Sequence, residues 1–135
     1  MENTIRLEIV TPEATTYSDD VEMVTLPGIE GQMSVLPQHT RLMTQLVPGE
    51  LIIRKNARDD YFAVGDGLVE VTNDHVSIVT NMAIASDRID EAAAEAARER
   101  AAARLREKIS SEEVASVNAS LARSLAQLRV KRRHR

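Results

Sequence analysis

Apolar and polar side chains alternate where the chain begins to show order: Ile5, Leu7 and Ile9 interleave with Arg6 and Glu8. A period of two marks a strand with one buried face. Residues 21–26, 32–36, 51–54, 61–64, 68–71 and 76–79 are further short runs rich in β-branched side chains. Turn-forming segments separate them: Thr11-Pro12, Ser18-Asp19-Asp20, Pro27-Gly28, Pro48-Gly49, residues 56–60, Gly65-Asp66-Gly67 and Asn73-Asp74. Short strands at this spacing predict an all-β sandwich or barrel over about the first 85 residues.

The period changes after Ala85. Asp90 is placed to cap a helix, with Glu91 suited to its positive end. Residues 91–108 then run through strong helix formers, mainly Ala, Glu and Arg. Ser110 and Glu113 form a capping box that restarts the helical pattern. Beyond it Val114, Val117, Leu121, Leu125 and Leu128 recur every three or four residues, one apolar stripe. The short connection predicts an antiparallel hairpin of helices. The fold expected is therefore α+β: a sandwich of two antiparallel sheets over residues 1–86, then a two-helix hairpin over residues 87–135.

The first helix is unusual in what it offers for burial. Its apolar positions are Ala92, Ala93, Ala96, Ala97, Ala101 and Ala103, with Ile89, Leu105 and Ile109 at the ends. A large aliphatic side chain contributes about 1.5–3 kcal/mol when buried, and alanine far less. The hairpin is thus expected to be helical in itself yet weakly held by the sandwich, which suits either a moving part or a plain surface appendage.

Composition sharpens the boundary. All five Gly and all four Pro precede Ser86. Residues 1–85 carry 5 basic and 13 acidic side chains, whereas residues 86–135 carry 12 basic and 8 acidic. The overall charge of -4 conceals this opposition. Five of the seven residues 129–135 are basic, and they continue the Leu121–Leu125–Leu128 stripe. A cationic helix of this kind suits insertion between acidic protein surfaces, and also suits nucleic acid. With 2% aromatic residues there is little for bases to stack on. The longest run free of Asp, Glu, Lys and Arg is residues 75–86, twelve in all, short of the ~20 a membrane-spanning helix needs. The polar, acidic start does not read as a signal peptide. The expectation is a cytoplasmic protein.

Catalytic chemistry finds no foothold. There is no cysteine, which removes disulfides, thiolate metal sites and thiol nucleophiles. His39, His75 and His134 lack any metal-binding spacing. No serine sits in a nucleophile-elbow setting, and Gly28, Gly31, Gly65 and Gly67 form no phosphate loop. No catalytic residue, metal or cofactor is expected.

Several segments, in order, resemble the epsilon subunit of bacterial F-type ATP synthase. Residues 27–39, PGIEGQMSVLPQH, resemble the family's P-G-x-x-G-x-x-x-V-L-P-G-H segment. Leu46-Val47-Pro48-Gly49 resembles its L-x-P-G turn, residues 64–71 its G-G-x-x-E-V strand, Ile89-Asp90-Glu91-Ala92 the start of its first C-terminal helix, and residues 124–130 its A-Q-L-R-V end. Each piece is weak alone; their order and spacing over nearly the whole chain make the match specific.

The resemblance implies a non-catalytic subunit at the foot of the central stalk, on the cytoplasmic face of the bacterial inner membrane and peripheral to it through the complex. The implied partners of the sandwich are the gamma subunit and the ring of c subunits, so that ion-driven rotation is coupled to ATP synthesis. The helices are implied to extend into the head of alpha and beta subunits and block ATP hydrolysis. Glu30, Gln32 and His39 fall in the segment implied to face the c ring and gamma. Gln32 stands where many members have a carboxylate, and Gln38 replaces the usual Gly before the histidine. Arg123, Arg129, Lys131, Arg132 and Arg133 are the implied inhibitory contacts. Some members bind ATP through I/L-D-x-x-R-A; here Ile89, Asp90 and Ala94 match, but Ala93 stands at the arginine position. Losing that guanidinium removes a bidentate phosphate ligand. What remains of a nucleotide site is Asp90 and Arg100, and weak or no binding of regulatory ATP is expected. The competing reading is a β-sandwich adaptor whose basic helical tail binds nucleic acid, with no membrane complex.

Overall fold

The alternation that opens the chain builds strand β1 (Ile5–Val10), whose Ile5, Leu7 and Ile9 are buried. It is the first of ten strands in a computed structural model that describes residues 3–134; Met1, Glu2 and the last tail cation, Arg135, lie outside the described residues. The others are β2 (Thr15–Val21), β3 (Met23–Gly28), β4 (Gly31–Val35), β5 (Leu42–Leu46), β6 (Gly49–Lys55), β7 (Arg58–Val64), β8 (Gly67–Val71), β9 (His75–Thr80) and β10 (Ala83–Ala85). A 3-10 turn, Ser86–Arg88, leads into helices α1 (Glu91–Leu105) and α2 (Ser111–His134).

The strands form two layers. One holds β4, β3, β6, β7 and β10, and the other β5, β8, β9, β1 and β2. A single bridge, Gly28 opposite Leu46, joins them along one side. On the other side the Tyr17 ring meets Phe62 edge-on at 5.8 Å and Lys55 pairs with Asp19, so the sandwich approaches a barrel. Between the layers lie the inward side chains of both, among them Leu7, Ile9, Leu26, Leu46, Leu51, Ile53, Val69 and Ile78. The core is aliphatic because the chain has almost no aromatic residues to place there.

All ladders are antiparallel except β1 with β9, which is parallel. Several local expectations need correction. Pro27-Gly28 is not a turn but the end of β3, paired with Gln32 and Gly31, and the turn falls at Ile29-Glu30. Ser18-Asp19-Asp20 is not a turn but part of edge strand β2, because Arg6 takes Ser18 Oγ and Asp20, and Lys55 takes Asp19. The turn over 56–60 is confined to Asn56 and Ala57, both left-handed, with Asp59 and Asp60 already in β7. Strands β5 and β10 carry too few β-branched residues to stand out in the sequence.

Two backbone positions fix the loops. Gln38, where the resembled family has Gly, adopts φ 63. The left-handed turn is therefore kept without glycine, at an expected strain of about 1 kcal/mol, and the Gln38 N–H donates to the Asn73 carbonyl at 2.9 Å. Gly67 has the opposite demand. A Cβ there would lie 2.0 Å from the Val79 carbonyl oxygen and 2.9 Å from Thr80 Cα.

The helices begin as their caps predict. Asp90 accepts from the Ala93 N–H at 3.0 Å. The Glu113 N–H donates to Ser110 Oγ at 3.1 Å, while the Glu113 carboxylate turns back toward Ser110. Hydrogen bonds from Arg104, and then from the Ser110 backbone, hold the Glu113 carboxyl below its ordinary range. The buried residues along α1 are Ala94 and Ala101, with Ala97 half-buried between them; Ala92, Ala93, Ala96 and Ala103 face solvent, so the alanine face is narrower than the composition suggests. On α2, Val114 and Leu125 are exposed and leave the expected stripe. Leu128 is buried as expected, and Ser124, Ala126 and Val130 are buried beside it.

Candidate functional site

The last three turns of α2 make the junction between the two halves of the molecule. Ala126 and Val130 pack into a seat of Ala63, Met82 and Ile89, with Tyr61 and Ile84 half-buried against it. Gln127 Nε2 reaches the Met82 sulfur at 3.1 Å, and Arg123 lies over Gly65. Half-buried Val117 of α2, with Ala97, Ala101 and Ser120, lines a groove between the helices. The hairpin thus meets the sandwich through α2, against β6 and β7, while α1 rides on α2. The apolar seat is small beside the sixteen-residue core of the sandwich.

Polar contacts supply the rest. Arg132 donates to Glu91 at 2.9 Å and to Glu95 at 2.7 Å, tying the end of α2 to the start of α1. Bonds from Arg98, and then from Arg132, hold the Glu95 carboxyl below its ordinary range. Lys131 Nζ donates to the Ser86 carbonyl at 3.2 Å. Arg133 reaches Glu50 at 3.4 Å, His134 pairs with the same carboxylate, and the imidazole stacks on Tyr61 at 3.6 Å and 12°.

The residues implied as inhibitory contacts therefore sit in one short stretch, and most are engaged within the chain. Lys131, Arg132 and Arg133 hold partners as described, Arg123 donates to Ser120 Oγ at 3.0 Å, and Arg129 is exposed. Asp90 and Arg100 are not brought together. They lie ten positions apart along the helix, a rise of about 15 Å; Asp90 is spent as a cap, and Arg100 lines the interhelical groove beside Arg104.

Glu30, Gln32 and His39 also divide. Glu30 sits at the tip of the β3–β4 hairpin, beside exposed Ile29, whose N–H donates to Gln45 near the end of β5. Gln32, also exposed, pairs with Pro27 just behind that tip. His39 lies beyond the other end of β4, near the start of β5, its Nδ1–H donating to the Thr40 carbonyl at 2.8 Å. The length of β5, about 15 Å, separates the two places.

Sequence reasoning missed a surface as well as a contact. Met43, Leu68 and Val79 point outward from β5, β8 and β9 and are 55–67% exposed. Leu68 and Val79 are cross-strand partners, and with Val10 and Pro12 they line a shallow apolar groove of ≈ 510 Å³. The signal was legible as apolar residues in the outward phase of a period-two pattern. Glu50 had no comparable signal, since its partners lie more than 80 positions away. No cluster of three or more metal-ligating side chains occurs among the described residues, and none of their helices is long and apolar enough to cross a membrane.

A sandwich with an apolar outward strip, carrying a cation-tipped hairpin on a small seat, is the build of a subunit that works by docking rather than by catalysis. Residues 4–86 match the family model described as the ATP synthase delta/epsilon chain β-sandwich domain, and residues 87–132 match its long α-helix domain. The chain belongs to the ATP synthase delta/epsilon chain family. Its curated relatives are epsilon chains. That of Chloroflexus aggregans is 44% identical over 131 residues, 97% of this chain and 94% of the relative. That of Herpetosiphon aurantiacus is 40% identical over 126 residues, 93% of each. Within the family this is accordingly an epsilon-type, non-catalytic subunit. A chain of the Euglena gracilis mitochondrial ATP synthase, solved with OSCP, F1 and c-ring, shares the fold with a TM-score of 0.74 at 23% identity, covering 90% of this chain and 78% of that one.

Proposed function

We propose that this subunit couples rotation of the c ring to ATP synthesis through its sandwich and restrains ATP hydrolysis through its hairpin, working on the cytoplasmic face of the bacterial inner membrane as a peripheral part of the complex. The observation that carries the second half is the double use of the tail. Lys131, Arg132, Arg133 and His134 are all satisfied by the chain's own acceptors when the hairpin is down. An acidic surface on the alpha and beta head would compete for the same side chains, so two positions of one helix can be close in free energy. The small apolar seat adds little to either side of that balance.

The coupling half draws on the opposite face. Exposed apolar strips mark protein interfaces, and Leu68, Val79 and Met43 offer one to the gamma subunit. The β3–β4 tip, with Ile29, Glu30 and Gln32, offers a mixed surface to the polar loops of the c ring, and His39 belongs to the end nearer the β8–β9 turn. The nucleic-acid reading is weaker, because Lys131, Arg132 and Arg133 have partners within the chain.

A photo-crosslinker placed on the exposed Arg129 tests the inhibitory half. In assembled enzyme under hydrolysis conditions it is expected to mark alpha or beta subunits; crosslinks confined to the sandwich and gamma would overturn the reading. Regulatory ATP is not part of this mechanism. The missing guanidinium at Ala93 and the separation of Asp90 from Arg100 leave no convergent phosphate site. Calorimetry on the isolated full chain is expected to show no sub-millimolar ATP binding, and a sub-millimolar dissociation constant would refute this.

A further inference from the structure

Glu50 is the second residue of β6, between the buried Gly49 and Leu51. Its side chain takes the outward phase of the strand, away from the core and toward α2. In the β6–β7 ladder it stands opposite Ala63, which forms the floor of the α2 seat. An outward carboxylate on an uncovered sheet would be hydrated. Here only 11% of the Glu50 side chain remains exposed, and its hydrogen-bonding partners among the described residues are His134 and Arg133. Both belong to the last turn of α2.

This arrangement links desolvation of one carboxylate to arrival of two specific hydrogen-bonding side chains, the Arg133 guanidinium and the His134 imidazole. If α2 settled on the seat one turn out of register, Val130 would approach Glu50 instead, and a charge would be covered without a partner. Breaking one side of a covered charge pair is far costlier than its net contribution suggests. The Tyr61 ring adds shape to the same point by stacking on His134. Arg132, by contrast, binds Glu91 and Glu95 of α1. Those contacts close the hairpin on itself and do not touch the sandwich.

We propose that Glu50 is the catch that holds the hairpin against the sandwich, engaging the end of α2 through His134 and Arg133 and setting its register. This rests on the reading of the hairpin as a part that moves. The apolar seat of Ala126 and Val130 is too small to determine the docked population alone, so the catch controls how readily the tail is released.

The chain has no native cysteine, so two introduced ones can be labelled cleanly. Nitroxides at Asn73→Cys on the sandwich and Asn118→Cys on α2, both exposed positions, report the docked state of the full-length chain by pulsed dipolar spectroscopy. Glu50→Gln, which keeps the shape and removes the charge, is expected to raise the undocked-to-docked ratio about three- to tenfold, in the range of coupled contacts. His134→Gln combined with Arg133→Gln is expected to do the same, and the triple variant to add little more. A ratio unchanged in Glu50→Gln, or fully additive effects in the triple variant, would overturn the catch. Circular dichroism and thermal melting of each variant identify loss of the sandwich itself, and Glu50→Asp is expected to restore part of the docked population. If Glu50→Gln undocks the hairpin while hydrolysis by the assembled enzyme stays the same, the catch stands and the inhibitory reading fails.

Discussion

Ending the chain at Asp87 is expected to leave an assembled ATP synthase whose latent ATP hydrolysis rises. The sandwich keeps its own core, since every residue of the main buried cluster lies in β1 to β9. What the truncation uncovers is the seat of Ala63 and Met82, together with Tyr61 and Ile84 at its margin. That loss is modest, because the opposing apolar surface is little more than Ala126, Val130 and Ile89. The size of the activity change depends on how much time the hairpin spends extended. If it holds roughly 90% of enzymes idle, a bias of only ~1.3 kcal/mol, its removal raises hydrolysis about tenfold. Membrane vesicles from cells carrying the truncated chain check this, with ion pumping measured beside hydrolysis. Unchanged hydrolysis with normal assembly would remove the inhibitory role and leave the coupling role standing.

The largest effect on stability is expected from Gly67→Ala. The new Cβ would meet backbone rather than a movable side chain: the Val79 carbonyl oxygen at 2.0 Å, with Thr80 Cα at 2.9 Å. Relief requires β8 and β9 to part where Gly67 faces Thr80 in the ladder. The strain then reaches Val69 and Ile78, which are fully buried and cross-strand partners two residues along. Forced overpacking of this kind costs about 3 kcal/mol. For a domain of this size the melting temperature should fall by about 10–20 °C, measured by calorimetry on the full chain. Gly31→Ala offers a contrast, since nothing lies near its Cβ and only its φ of +124 is unfavourable. A Gly67→Ala variant that melts with the native chain would show that the β8–β9 contact can relax, and would remove the reason for glycine there.

The two halves of the chain were legible to different depths. Alternation exposed β1 at once, because strands buried on one face write their geometry into every second residue. Edge strand β2 was hidden because Asp19 stands in its inward phase, opposite buried Leu7, and the partners of Asp19 and Asp20, Lys55 and Arg6, come from other strands. Asp90 and Ser110 announced the helix starts, since a cap is a contact across three residues. The faces of those helices were read less well. Leu125 looked like core and is exposed, whereas Ser124 looked polar and is buried. Burial on a hairpin depends on which neighbour each face meets, and local spacing does not carry that information.

The sequence by itself determined that a β-built module ends near residue 86, that two capped helices follow, and that the charge at the far end is positive; it also supplied the ordered motifs of the epsilon family. Each of these depends on side chains within a few positions of one another. Only the tertiary structure decided that α2 rather than α1 meets the sandwich, that Leu68 and Val79 form an outward apolar strip, and that His134 returns across the molecule to Glu50. Those facts concern pairs far apart along the chain, which meet because burial and charge pairing are settled in space after the local elements have formed.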